Sequence, residues 1–69
     1  MKREYKYTIL NRTLKTKMDT NNYYSVEISC KCESEPRYRI ISTKSFNKTN
    51  PTALIEACDW LKQMTEMYS

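Results

Sequence analysis

The chain has 69 residues, no histidine and no glycine, three cysteines, and twelve Lys/Arg against eight Asp/Glu for a formal charge of +4. One small domain is implied, with a core too thin to contribute much more than about 3–5 kcal/mol without a partner, metal or disulfide. The lack of glycine removes the phosphate-cradling loops of the P-loop and dinucleotide-binding kinds. No run approaches the roughly 20 apolar residues of a membrane span, and MKREYKY is not followed by the apolar core of a signal peptide.

The first element spans about residues 4–16. Tyr5, Tyr7 and Ile9 share a parity, as half-buried strand residues do, while Leu10 and Leu14 take the other. A bulge near Ile9–Leu10, or a break between two short strands, would bring Leu10, Arg12 and Leu14 into line. Asp19-Thr20-Asn21-Asn22 reads as a turn, with Asn in the left-handed region that glycine would normally fill.

The second strand, about 23–33, alternates without a slip: Tyr24, Val26, Ile28, Cys30 and Cys32 on one face, Tyr23, Ser25, Glu27, Ser29 and Lys31 on the other. Glu33-Ser34-Glu35-Pro36 closes it, since proline cannot continue a ladder. The third strand, about 37–46, sets Tyr38, Ile40 and Phe46 on the inner parity. Arg39, Ile41, Thr43 and Ser45 fall on the outer one.

Asn50 followed by Pro51 reads as an N-cap and first helical residue, opening a helix over about 51–67. Leu54, Ala57, Cys58, Leu61, Met64 and Tyr68 recur at helical spacing as its buried stripe. The fold expected is α+β: a three-stranded antiparallel meander with one face covered by a C-terminal helix and the other wet. Its unpaired edges invite a homodimer through a sheet edge, or burial of Ile41 and Trp60 between subunits.

Cys30 and Cys32 share a strand face, to which the helix would bring Cys58. Three thiols without histidine fall short of the four ligands of a structural zinc site, so packing is expected and no metal or cofactor. The same lack of histidine, in so small a chain, argues against an enzyme. Residues 1–50 carry eleven Lys/Arg against five Asp/Glu and residues 51–69 one against three, which favours an acidic partner for the front of the chain. Lys6, Lys15, Lys17, Tyr23, Ser25, Lys31, Arg39, Ile41 and Thr43 are the candidate contact residues. Basic, hydroxyl and aromatic groups on one open sheet face suit phosphate contact and base-edge hydrogen bonding.

YYSVEI, YRIISTKSF and ALIEACDWL together resemble the arm-type DNA-binding domain at the N-terminus of tyrosine recombinases. The likeness covers residues 23–61, with Ser-Phe ending a strand before an Ala-x-x-x-Ala-x-x-Trp-Leu helix. That resemblance implies a sheet inserted into the major groove, with Lys31, Arg39 and Thr43 outward-facing. In length and its richness in Lys, Asn, Thr, Tyr and Met, the chain also looks like small bacteriophage accessory proteins. Many of those bind and disable a host protein, including CRISPR effectors and restriction nucleases. The reading is therefore a non-enzymatic cytoplasmic binding protein (of the host cell, if phage-encoded) that contacts nucleic acid through a basic sheet face; the alternative is an inhibitor of a host defence protein.

Overall fold

The computed structural model describes residues 2–68. Three strands, β1 (Arg3–Lys15), β2 (Thr20–Cys32) and β3 (Arg39–Asn47), form one antiparallel sheet in the order β1-β2-β3, and helix α1 (Ala53–Tyr68) follows. This is the β-β-β-α meander that the apolar stripes require.

β1 and β2 pair without interruption from Arg3↔Cys32 to Lys15↔Thr20, so the expected bulge at Ile9–Leu10 is absent. Leu10, Arg12 and Leu14 simply continue on the outer face. Residues 11–22 are exposed throughout, and with both faces wet near the hairpin tip, parity there is not enforced by a core. The turn lies at Lys17-Met18, closed by Thr16 N–H donating to the Asp19 carbonyl (2.8 Å). Thr20, Asn21 and Asn22 belong to β2, and no described residue has positive φ, so asparagine does not stand in for glycine.

The sheet's one irregularity is in β3. Ile28 opposes Ser42 but Ser29 opposes Ile40, leaving Ile41 as the extra residue of a bulge. A slip of one residue exchanges faces. Arg39 therefore opposes Cys30 on the helix side and Ile40 opposes Ser29 on the outer side, the reverse of the simple alternation.

Asn50 caps α1: its Oδ1 accepts the Thr52 N–H (3.1 Å) and hydroxyl (3.0 Å), and its Nδ2 donates to Glu56 (2.6 Å). The helix is rolled relative to its most apolar stripe. Ala53 and Ala57 are the buried positions, Trp60, Leu61, Met64 and Tyr68 are half-buried, and Leu54 (50% exposed) and Cys58 face solvent. Two alanines let the helix backbone approach the sheet closely over Val26 and Ile28, both fully buried. The rings then take the flanks, with Trp60 against Phe46 (6.4 Å) and Tyr68 stacked on Tyr5 (5.3 Å). Among the described apolar residues only Val26, Ile28, Ala53 and Ala57 are buried, a thin core for a domain of this size.

Candidate functional site

The outer face carries Glu4, Lys6, Thr8, Leu10, Arg12 and Leu14 of β1, Asn21, Tyr23, Ser25, Glu27, Ser29 and Lys31 of β2, and Ile40, Thr43, Ser45 and Asn47 of β3. The helix lies on the other side, so this face is open. Beyond the Arg12↔Tyr23↔Asn47 row β3 stops, and β1 and β2 continue alone as a two-stranded ribbon. At about 3.4 Å per residue, pairs Thr13↔Asn22 to Lys15↔Thr20 and the turn project roughly 15 Å.

The expected contact residues divide as follows. Lys6, Tyr23, Lys31 and Thr43 share the outer face. Lys17 sits at the ribbon turn, and Lys15 is on the ribbon but of the opposite parity to Lys6. Ser25 is on the outer parity but only 5% exposed beneath its longer neighbours, its hydroxyl 3.4 Å from Glu27 Oε2, so it lies below the contact surface. Arg39 leaves the group: the bulge sends it to the helix side, where it pairs with Glu35 (2.8 Å). Ile41 is the bulge residue itself rather than part of a regular outer row.

Charge on this face is largely paired. Glu27, which stands at its centre, accepts from Arg12 at 3.1 Å, and Lys31 lies 3.9 Å from Glu4. Tyr38, expected inside, instead lies on the outer side: its hydroxyl donates to Glu4 (3.1 Å) while Lys6 and Lys31 sit over its ring at 5.6 and 5.7 Å. That hydrogen bond to a carboxylate raises the Tyr38 pKa. The loop preceding β3 thus folds an aromatic onto the end of the face distant from the ribbon. Only the bulge explains this reversal, and local alternation carries no trace of it.

At the ribbon's base a shallow depression of ≈ 350 Å³ is lined by Leu14, Asn21, Tyr23, Ser45 and Asn47. Lys48 lies beside the base, its N–H donating to the Asn22 carbonyl (3.0 Å) and its ammonium 4.6 Å from the Tyr24 ring. Leu14, Asn21, Asn47 and Lys48 are not among the contact residues that the sequence suggests. Leu14 reads there as part of a realigned strand and Asn21 as part of a turn, while Asn47 and Lys48 lie between the third strand and the helix with no signal of their own.

The thiols occupy a second depression of ≈ 350 Å³ at the far end of the helix side, with Arg3, Glu35, Arg39, Ile40 and Ile41. Cys58 does not join them. It is exposed on α1, and all three cysteines are free. The Glu35 carboxylate accepts from the Cys32 thiol, which pushes that thiol's pKa up and disfavours the nucleophilic thiolate. No group of three His, Cys, Asp or Glu able to hold a metal occurs among the described residues, and no described helix is long and apolar enough to cross a membrane. Comparison with protein-family models, curated proteins and solved structures finds no match to this chain.

Proposed function

We propose that the protein is a non-enzymatic module that binds nucleic acid with the two-stranded ribbon and the adjoining outer face. The observation that carries this reading is the exposed ribbon. Arg12, Lys15, Lys17 and Lys48 gather in and around it against Asp19 and Glu27, while the acidic Glu56, Asp59 and Glu66 ride on the helix. A two-stranded ribbon is of a width that the major groove admits, and lysines along it meet phosphates. Thr43, Ser45, Asn21 and Tyr23 then supply hydroxyl, amide and aromatic groups next to it, and Tyr38 with Lys6 and Lys31 forms a second cationic aromatic spot. The test is fluorescence anisotropy with duplex DNA, single-stranded DNA and RNA across a salt series. Affinity falls steeply as salt rises. For duplex DNA, replacing Lys15 and Lys17 by alanine flattens the log–log slope by about 1.8, at about 0.9 per phosphate contact. Absence of salt-dependent binding to all three removes the reading.

A second reading is favoured by one feature of the ribbon. Met18 is 93% exposed at its tip and Leu14 half-exposed on its side, and apolar surface gains nothing from phosphate. A phage-type inhibitor would seat these two residues in a host protein, such as a CRISPR or restriction component. It would form a stoichiometric complex that survives high salt and is lost in Met18→Asp, with no binding to naked nucleic acid.

A further inference from the structure

β1 is an edge strand with which no described strand pairs on its outer side, and the ladder shows which groups it offers. Glu33 N–H bonds the Lys2 carbonyl (3.1 Å) and Thr16 N–H bonds the Asp19 carbonyl (2.8 Å). Hydrogen-bonded pairs alternate along an antiparallel ladder, so the even-numbered residues of β1 spend their backbone groups on β2. The odd-numbered ones, Arg3, Tyr5, Tyr7, Ile9, Asn11, Thr13 and Lys15, turn N–H and C=O outward. The strand has no proline and no bulge along these thirteen residues. An edge this long and regular is a template for another strand.

We propose that the occupant is a second copy, paired β1 to β1 about a two-fold axis at Thr8, giving a continuous six-stranded antiparallel sheet. The register follows from charge. Centred on Thr8, Glu4 faces the partner's Arg12 in both halves, Tyr7 faces Ile9, Tyr5 faces Asn11 and Lys6 faces Leu10. Centred on Ile9, Lys6 meets Arg12 and Arg3 meets Lys15. Centred on Tyr7, Arg12 meets Lys2, and centred on Leu10, Arg12 meets only Thr8. Opposite charges placed directly across strands attract and like charges repel, so among these four the Thr8 register is selected.

Geometry permits it. The side chains of Glu4 and Arg12 are 61% and 49% exposed, and a guanidinium has donors enough for both Glu27 and a second carboxylate. Tyr7 and Ile9 are only half-buried at the margin of a thin core, and the partner's Ile9 and Tyr7 would cover them. The two outer faces merge, and the two ribbons point in opposite directions from the axis.

Sedimentation velocity of the full chain at tens of micromolar reads the assembly, and the expected mass is twice the 8.3 kDa chain. Thr8 would face its copy at a non-hydrogen-bonded site. There Cα atoms lie about 4.5 Å apart, within disulfide reach. Mild oxidation of Thr8→Cys therefore gives a covalent dimer whose bond mass spectrometry maps to the two introduced thiols, whereas Leu14→Cys gives none at its site. Glu4→Arg weakens the dimer by about tenfold, and adding Arg12→Glu restores it. Circular dichroism checks that each variant folds. A monomer at these concentrations overturns the proposal. So does a dimer that shows no disulfide at Thr8→Cys and ignores both charge reversals.

Discussion

Replacing Ile28 by alanine tests where the helix sits. Ile28 is the largest fully buried side chain, on the helix-covered face of the central strand. Alanine removes three carbons, worth about 2.4 kcal/mol at about 0.8 per buried carbon. The cavity adds to this, within the range of about 2–5 kcal/mol seen for such truncations. A domain this small holds about 3–5 kcal/mol in all, so the variant should be largely unfolded or melt about 12–24 °C lower for a loss of about 3 kcal/mol. Ile55, chemically identical but 63% exposed on α1, should cost about 0.5 kcal/mol or less on the same change. The assay is urea unfolding at fixed protein concentration, followed by far-ultraviolet circular dichroism and by Trp60 fluorescence, since Trp60 packs on Phe46. Equal losses at Ile28 and Ile55 would mean that the helix buries its Leu54–Ile55 side, and the arrangement of core and open face would fail with it.

Three further outcomes are expected. Asn50→Ala removes the acceptor for the Thr52 N–H and should lower stability by about 1 kcal/mol in the same urea assay; an unchanged midpoint would show that the cap is idle. Glu27→Gln frees Arg12 from its ion pair, so duplex DNA binding should tighten and its salt slope steepen by about 0.9, while stability shifts by less than about 1 kcal/mol. An unaltered slope would place Arg12 outside the contact. At the thiol end, hydrogen bonds from the Cys32 thiol and N–H, reinforced by Arg39, hold the Glu35 carboxyl below its ordinary value of 4.5. A depressed carboxyl stabilises the fold above the unfolded value, and that contribution is lost as pH falls through the lower folded one. Cys32→Ala should move the Glu35 midpoint up toward 4.5 in a carboxyl carbon NMR titration, and a stationary midpoint would contradict the hydrogen bond.

Much of the architecture can be read from local pattern, because each element announces itself through a short period. β2 alternates with no slip over eleven residues, and its two faces emerge as its parity predicts, with Val26 and Ile28 inward and Tyr23, Glu27 and Lys31 outward. Asn50-Pro51 marks the helix start because a cap works through the adjacent turn alone. The candidate surface was legible in part: Lys6, Tyr23, Lys31 and Thr43 do share a face, while the ribbon that extends it was hidden by the turn assigned to Asn21 and Asn22.

What the tertiary structure alone decided turns on competition between surfaces distant in the chain. The extra residue at Ile41 sends Arg39 to the thiol side and leaves Ile40 and Tyr38 on the outer side, and nothing in RYRIISTKSF marks that position for a bulge. The roll of α1 is of the same kind. Leucine 54 and Cys58 continue the more apolar stripe, yet Ala53 and Ala57 face the sheet, since close approach over Val26 and Ile28 needs small side chains where the backbones meet. Periodicity sets how an element alternates; which side turns inward is set by the shape of what it must pack against.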